Sequence, residues 1–203
     1  MEIKQLEEKD TQEFCDLIVD MYSHLENLEW FTPMPYDYEN VSGMIKHPRF
    51  YIIGAFENGK LCGVSSLDYK CGKLIGKVDF PKECNTASMV EIGFNLVHST
   101  ERGKGIMKLL VAHLLEKIKN DGFEWAMSKV HKDNFASSKS LIKNGFKIAM
   151  DYVKPVNKQE FKALADADFF SPQGKENAAK SLAKSSPEDE NIIVNYDILL
   201  KEM

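Results

Sequence analysis

Cysteine and tryptophan are scarce in this 203-residue sequence, which holds four Cys and two Trp. The thiols stand far apart, form no Cys-x-x-Cys pair and have no His at zinc-ligand spacing. We therefore expect no metal site and no disulfide framework. Scattered reduced thiols are typical of cytoplasmic proteins, and we predict that location. The four are Cys15, Cys62, Cys71 and Cys84.

Long apolar runs and an excess of basic residues are missing as well. No stretch is long enough to cross a bilayer, and the first residues do not resemble a signal peptide, so we expect no membrane association. The formal net charge of −5 gives no reason to expect nucleic-acid binding. A hydrophobic content of 43% and a charged content of 28% are ordinary for a globular protein. The length suits a single domain, 1–203.

The most informative stretch is a strand, a glycine turn and a helix. Met89–Val97 is rich in β-favouring residues, and the turn that follows contains Gly103 and Gly105. Asp121-Gly122 ends the predicted helix. A helix N-terminus behind such a turn presents backbone N–H groups to an anion, which predicts phosphate binding. The helical face comprises Ile106, Leu109, Leu110, His113, Leu114 and Ile118.

The spacing of this turn excludes two familiar nucleotide motifs. A P-loop requires Lys-Ser/Thr directly after its second Gly, whereas Ile106-Met107 follows Gly105. A Rossmann fingerprint requires a small residue three positions later, where Lys108 stands. The remaining pattern, Arg102-x-x-Gly105-x-x, resembles the pyrophosphate loop of the GNAT (Gcn5-related) N-acetyltransferases.

A second motif lies downstream at the distance this family shows. The pattern Asn134-x-x-Ser137-x-x-x-Leu141-x-x-x-Gly145-Phe146 follows a predicted strand over residues 123–131 and resembles the family's second cofactor motif. Asn134 is also a good helix cap by itself, and Ser137 either touches the cofactor or bonds the first helical turn.

The resemblance implies acetyl-CoA as co-substrate, held by the loop and by a strand that splays from its neighbour. Met107 departs from the pattern because it occupies a slot for a small residue, and it would crowd the loop unless it points into the core. Pantetheine would pair with the backbone around Asn95, Leu96 and Val97. The other cofactor-binding residues implied are Arg102, Gly103, Lys104, Gly105, Ile106, Met107, Asn134 and Ser137.

The remaining chain predicts an α/β fold with a mixed, largely antiparallel sheet flanked by helices, in agreement with the GNAT order. Asn58-Gly59 predicts a hairpin, and strands are expected over 147–153 and 192–200. Residues 157–190 show little apolar periodicity and are interpreted as an insertion before the last strand. The aromatic segment around Trp30 and Phe31 either lines an acceptor pocket or covers the core.

Glu91 is the candidate general base. It is the acidic residue of an otherwise apolar strand, so desolvation should favour its neutral form and make it a better base. Several family members carry a base glutamate at this distance from the loop. The role is direct or through a water, and the alternative is a solvent-facing residue or a structural ion pair.

The general acid is less determined. Many family members carry Tyr where this chain has Leu141, and a leucine cannot donate a proton. Tyr152, Tyr196 or a water are the alternatives, while His98 and His131 are better explained as structural residues.

These features predict an acetyl-CoA-dependent N-acetyltransferase that acts on a primary amine. The acceptor is a small amine, an aminoglycoside-like compound or a peptide N-terminus, and a homodimer is a candidate assembly. Leu141 together with Ser137 is similar to the ribosomal-protein N-acetylating enzymes. The alternative is a non-catalytic acyl-CoA-binding sensor module, and a purely structural protein would leave both motifs unexplained.

Overall fold

Seven strands form one open sheet in the computed structural model, which describes residues 1–71, 74–168, 170–186 and 188–203. The spatial order of the strands is β1-β2-β3-β4-β5-β7-β6, and every pair is antiparallel except β4–β5. This confirms the predicted mixed, largely antiparallel sheet. The strands are β1 (Glu2–Gln5), β2 (Phe50–Glu57), β3 (Lys60–Asp68), β4 (Met89–Val97), β5 (Trp125–His131), β6 (Lys147–Asn157) and β7 (Asn191–Glu202).

Helices cover both faces of the sheet. One apolar cluster joins the sheet to α1, α2, α5 and α6, and a second joins the opposite face to α3 and α4. Along α3 the buried face includes Val111, whereas Leu109, which the helical spacing had placed there, is 48% exposed. The helices are α1 (Thr11–Ser23), α2 (Tyr38–Lys46), α3 (Ile106–Asn120), α4 (Phe135–Lys143), α5 (Lys158–Ala165) and α6 (Pro172–Leu182).

The strand β4 diverges from β5 after only three paired residues. Met89–Glu91 pairs with Trp125–Met127, and no further β4–β5 pair occurs in the described part of the chain, although β5 continues along β7 as far as His131. A bulge on the β3 side adds one residue to β4, where Phe94 takes a φ of 47°. The predicted splay is thus confirmed, and it opens the sheet at its centre.

The predicted hairpin is confirmed, and the predicted end of β6 is wrong. Asn58 and Gly59 take φ values of 52° and 77° between β2 and β3. β6 runs to Asn157 rather than stopping before Pro155, which pairs with Ile193. A proline is tolerated there because β6 is an edge strand, whose outward N–H positions need no partner.

The segment between β6 and β7 contributes α5 and α6, and its burial exceeds what the sequence pattern indicated. Phe161, Leu164 and Ala178 are buried in the cluster under α1. Residues 169 and 187 lie outside the described part. That the segment is an insertion within one domain stays a prediction. Among the described residues, no helix is both long and apolar enough to span a bilayer.

Polar contacts join α6 to the chain just before the aromatic segment. The buried Ser181 hydroxyl accepts from the Leu28 N–H at 3.3 Å and donates to Asn27 Oδ1 at 3.1 Å. Asn177 Nδ2 donates to the Leu25 carbonyl oxygen at 3.1 Å. These bonds fix the short 3₁₀ turn at Leu28–Trp30 against α6.

We expect Ser181→Ala to lower the free energy of unfolding by about 1–3 kcal/mol, because it leaves the Leu28 N–H buried without an acceptor. Ser185→Ala is the matched control, since the Ser185 hydroxyl donates to the nearby Leu182 carbonyl and to no other of the described residues, and it should change stability by less than about 0.5 kcal/mol. Urea unfolding of both variants measures the difference. Equal stabilities would show that α6 is not anchored through this hydroxyl.

Candidate active site

A cavity of about 260 Å³ lies where β4 and β5 diverge. Its walls come from the bulged half of β4, the end of β5, the start of α4, the beginning of β2 and the segment after α1. Five of the predicted catalytic and cofactor-binding residues meet on its wall: Glu91, Asn95, Asn134, Ser137 and Tyr196.

Glu91 lies at the base of the splay and is 8% exposed. Its Oε2 atom is buried and has no hydrogen-bond partner among the described residues. Burial raises the pKa of this carboxyl, Lys129 opposes the rise through its positive charge, and Asp68 adds to it. Glu91 is therefore buried, and no ion pair joins it to another of the described residues; its role as general base stays a prediction.

Asp68, the cross-strand neighbour of Glu91, is bound by Arg49. Arg49 Nε donates to Asp68 Oδ1 at 2.7 Å, and Nη2 donates to Oδ2, so the contact is bidentate. Both residues line the cavity and were missed in the sequence. Asp68 could have been found by the same signal as Glu91, because it too is an acid in a mainly apolar strand. No sequence pattern marked Arg49.

The two candidate tyrosines occupy different positions. Tyr196 lines the cavity, is 2% exposed, and its hydroxyl lies 3.4 Å from Thr32 Oγ1. Tyr152 packs beside it, with ring centroids 6.4 Å apart, but is not among the lining residues described. Burial raises the pKa of both phenols, so both keep their protons at neutral pH. Of these two tyrosines, Tyr196 is thus the one on the cavity wall.

The N-terminal end of α4 lies at the cavity, whereas Leu141, near its C-terminal end, lies in the core. Asn134 Oδ1 accepts from the Ser137 N–H at 3.2 Å, which confirms the predicted cap, and both residues lie on the cavity wall. Leu141 is 1% exposed in the cluster beneath α3. A leucine fits there because that position contacts apolar side chains.

The bulge directs the residues of β4 to different surroundings. Asn95 faces the cavity, and its Oδ1 accepts from Ser65 Oγ at 2.6 Å. Leu96 is buried in the core, and Val97 packs against the α3 cluster. Ser128 Oγ on β5 donates to the Ile92 carbonyl at 2.9 Å, just past the last backbone pair of β4 and β5. From Gly93 onward, β4 has no strand partner on its β5 side among the described residues.

The glycine turn lies outside the cavity, at the N-terminus of α3. Gly103 and Gly105 take φ values of 80° and 81°, and a Cβ atom at either position would meet no atom within 4 Å. Gly105 is the N-cap and supplies no side chain, so the first N–H groups of α3 are left to a ligand.

The charged side chains of the turn make surface contacts, and the apolar ones pack inward. Arg102 is exposed, with Nη1 3.5 Å from the His24 carbonyl oxygen, and Lys104 Nζ lies 2.7 Å from Glu101 Oε2. Such surface contacts are weak and can be exchanged for a phosphate. Ile106 is buried, and Met107 is half-buried against the α3 cluster, so its side chain does not crowd the turn.

The aromatic segment after α1 both covers the core and lines the cavity. Trp30, Phe31 and Met34 pack against the α1 cluster and also form cavity wall. Phe50 and Phe94 face each other across the wall, with ring centroids 5.7 Å apart. The aromatic segment therefore covers the core and also lines the cavity, and that it binds an acceptor stays a prediction. The cavity is mainly apolar around its charged base.

His131 packs against the Tyr196 ring and lies next to Glu29, which indicates a structural role. Its Nε2 lies 3.7 Å from Glu29 Oε2, and its Nδ1 accepts from the Asp133 N–H at 3.1 Å. Burial would raise the pKa of Glu29, but its ionic contacts with His131 and Lys184 outweigh burial and lower that pKa. The Glu29–His131 pair thus holds the aromatic segment to the end of β5.

Three side chains with metal-ligating atoms approach one another within the described residues: Glu57, Cys62 and Glu101 have these atoms within 4.8 Å. Burial raises the pKa of the Cys62 thiol, and Glu101 is bound to Lys104. A protonated thiol and an occupied carboxylate are poor metal ligands, so the cluster gives no support to a metal site.

The cavity thus joins an apolar wall to the desolvated Glu91 and to two cationic side chains, Arg49 and Lys129, beside an opened strand edge. Such a site can hold an amine, remove its proton and exclude water from a reacting group.

Solved structures show the same fold in acetyltransferases. A ribosomal-protein-alanine N-acetyltransferase from Brucella melitensis matches with a TM-score of 0.66 at 15% identity, covering 100% of both chains. The putative acetyltransferase yncA from Salmonella typhimurium, with its cofactor acetyl-CoA, matches at 0.63 and 14%, covering 100% of this chain and 93% of its own. The paia N-acetyltransferase from Thermoplasma acidophilum, in complex with coenzyme A, matches at 0.61 and 14%, covering 100% and 98%.

No curated protein sequence matches the chain. The profile of the Acetyltransferase (GNAT) family matches residues 11–146, which is more than half of the 203 residues. This range contains the splayed strand, the glycine turn, the capped helix α4 and Glu91. The chain belongs to the GNAT acetyltransferase family.

Proposed function

We propose that this protein is an N-acetyltransferase that moves an acetyl group from acetyl-CoA to a primary amine, with Glu91 as general base. The observation that carries the proposal is the buried Glu91 carboxyl, which lacks a hydrogen-bond partner in the described structure and lies on the cavity wall at the splay. A partnerless buried acid costs stability and is retained where its proton affinity is used.

The residues around the turn fit acetyl-CoA. The uncapped N–H groups at the start of α3, the open space around Gly103 and Gly105, and the exposed Arg102 and Lys104 suit a pyrophosphate. The open edge of β4 leads from there to Glu91, which suits an extended pantetheine arm. Two structural neighbours were solved with acetyl-CoA or coenzyme A, which supports the same ligand here.

Acetyl-CoA supplies an acetyl group activated as a thioester. The ammonium of the acceptor must lose a proton before its nitrogen can attack, and Glu91 accepts that proton directly or through a water. The thiolate leaving group takes a proton from Tyr196 or from water, because Leu141 is buried away from the cavity. Asn134 and Ser137 line the same cavity and position the reacting end.

A non-catalytic sensor that binds acyl-CoA is the second candidate. Its support is the core position of Leu141, which leaves the chain without the tyrosine that many family members use. Such a sensor would bind acetyl-CoA without releasing CoA to any amine. A cytoplasmic location and a homodimer remain predictions.

Gly105→Val should abolish the thermal stabilisation of the protein by acetyl-CoA. Valine strongly disfavours the φ of 81° at this position, so the turn must change its path and misplace the N–H groups. Gly122→Val is the matched control, because Gly122 has a φ of 79° and open surroundings at the other end of α3. Differential scanning fluorimetry with and without acetyl-CoA measures both. A shift that survives in Gly105→Val removes the turn from the site.

Glu91→Gln should lower turnover at neutral pH by about 10²–10⁴-fold while acetyl-CoA affinity changes little, since glutamine keeps the shape but cannot accept the proton. Part of the loss should return at high pH, where more of the acceptor amine is already neutral. An acceptor is first found by a CoA-release screen over polyamines, aminoglycosides, amino acids and N-terminal peptides. Near-full turnover across the pH range would place the base elsewhere and leave the acetyltransferase proposal standing.

The same variant should be more stable than the wild type at pH 8. The pKa of Glu91 is raised in the folded state, so the wild type loses stability as pH rises from the ordinary value of 4.5 to the raised one, and the loss persists above it. Glutamine does not titrate, so the variant lacks this loss. Each unit by which the pKa of Glu91 is raised corresponds to about 1.4 kcal/mol of stability. The melting-temperature gain of Glu91→Gln should therefore be larger at pH 8 than at pH 4.5. The exposed Glu116→Gln should show no such pH dependence, and the same result for Glu91→Gln would contradict the burial argument.

A further inference from the structure

The charged side chains at the base of the cavity are not all paired with one another in the described structure. Asp68 and Arg49 neutralise each other through their bidentate contact. Glu91 is desolvated, which favours its neutral form. Lys129 lines the same wall, and no carboxylate of the described residues lies within ion-pair distance of it.

Lys129 is placed to act on a ligand beside Glu91. Glu91 is the parallel partner of Met127, so Lys129 stands two residues further along β5 on the same face of the sheet. Its Nζ lies 5.5 Å from the centre of the Tyr196 ring, which is also cavity wall. The half-buried Lys154 adds a second positive charge nearby, and burial followed by repulsion from Lys129 lowers the pKa of Lys154.

A further unsatisfied polar group belongs to Trp30, one of the residues that line the cavity. The indole Nε1–H of Trp30 is buried without a hydrogen-bond acceptor among the described residues. A buried donor left in this state is unfavourable unless a ligand supplies the acceptor. The Trp30 N–H and the Lys129 ammonium therefore both suit the same kind of ligand group, an anionic oxygen.

We propose that the acceptor is a small apolar amino acid, whose amine meets Glu91 and whose carboxylate is bound by Lys129, with Trp30 as a second donor. Phe31, Met34 and Phe50 supply an apolar wall for its side chain. A cavity of about 260 Å³ is slightly below the usual range of about 300–1,000 Å³ for small-molecule sites, which suits a compact acceptor. The inference rests on the proposed function and selects among its acceptor classes.

The test compares amines that differ only in the carboxylate. L-Leucine, L-methionine and L-phenylalanine are assayed by CoA release beside their amides and their decarboxylated amines. The wild type should prefer the acids in kcat/KM by about 10- to 100-fold, as expected for a hydrogen bond to a charged group. Lys129→Gln should bring the ratio close to one, and Lys129→Arg should largely keep it.

Lys132→Gln is the matched control, because Lys132 lies just beyond β5 and pairs with Asp151 outside the cavity. It should leave the ratio unchanged. A wild type that prefers the amides or amines, or a ratio that survives Lys129→Gln, overturns the inference. CoA release with peptides or polyamines but not with amino acids overturns it as well, while the proposed acetyltransferase stands.

Absence of CoA release with every amine would instead count against the proposed function. The inference is then judged by binding, using N-acetyl-L-phenylalanine and CoA together as probes in thermal-shift assays. A shift in the wild type that disappears in Lys129→Gln, and persists in Lys132→Gln, supports the carboxylate site. No shift in the wild type, or an equal shift in Lys129→Gln, overturns it.

Discussion

The site depends on one constraint, the early separation of two parallel strands. β4 and β5 pair over three residues and then part, so the centre of the sheet opens into a cavity while both strands stay anchored on their outer sides. A bulge on the β3 side lies in the same part of β4, and it holds the bulky Phe94 at a positive φ of 47°. Local strain of this kind persists where the surrounding packing determines the backbone.

Placing charged groups in this opening has electrostatic consequences. In a cavity with apolar walls, the charges interact more strongly than they would in water, so each one needs a partner, a neutral form or a ligand. Asp68 has Arg49 as its partner, Glu91 is favoured in its neutral form, and Lys129 lacks an ion-pair partner in the described structure. The way in which each charge is accommodated therefore affects both the stability of the sheet centre and the chemistry proposed for it.

The wall facing Glu91 is built by sequence-distant segments. The aromatic segment after α1 is held by Ser181 of α6, by Lys184 beyond it, and by His131 at the end of β5. The shape of this aromatic wall therefore depends on the helices between β6 and β7, whereas the turn before α3 is built by contiguous residues. In the proposed acetyltransferase, the site for acetyl-CoA and the site for the acceptor would thus have separate structural origins.

The sequence by itself determined the local features: the turn with Gly103 and Gly105, the Asn134 cap, the Asn58-Gly59 hairpin and the acid in an apolar strand. These depend on backbone conformation and on neighbours a few residues apart, which residue types encode directly. Only the tertiary structure decided that Arg49 binds Asp68, that Leu141 is core and that Lys129 joins Glu91 on one wall. Those relations join different strands and helices, and their energies depend on burial, which no local pattern specifies.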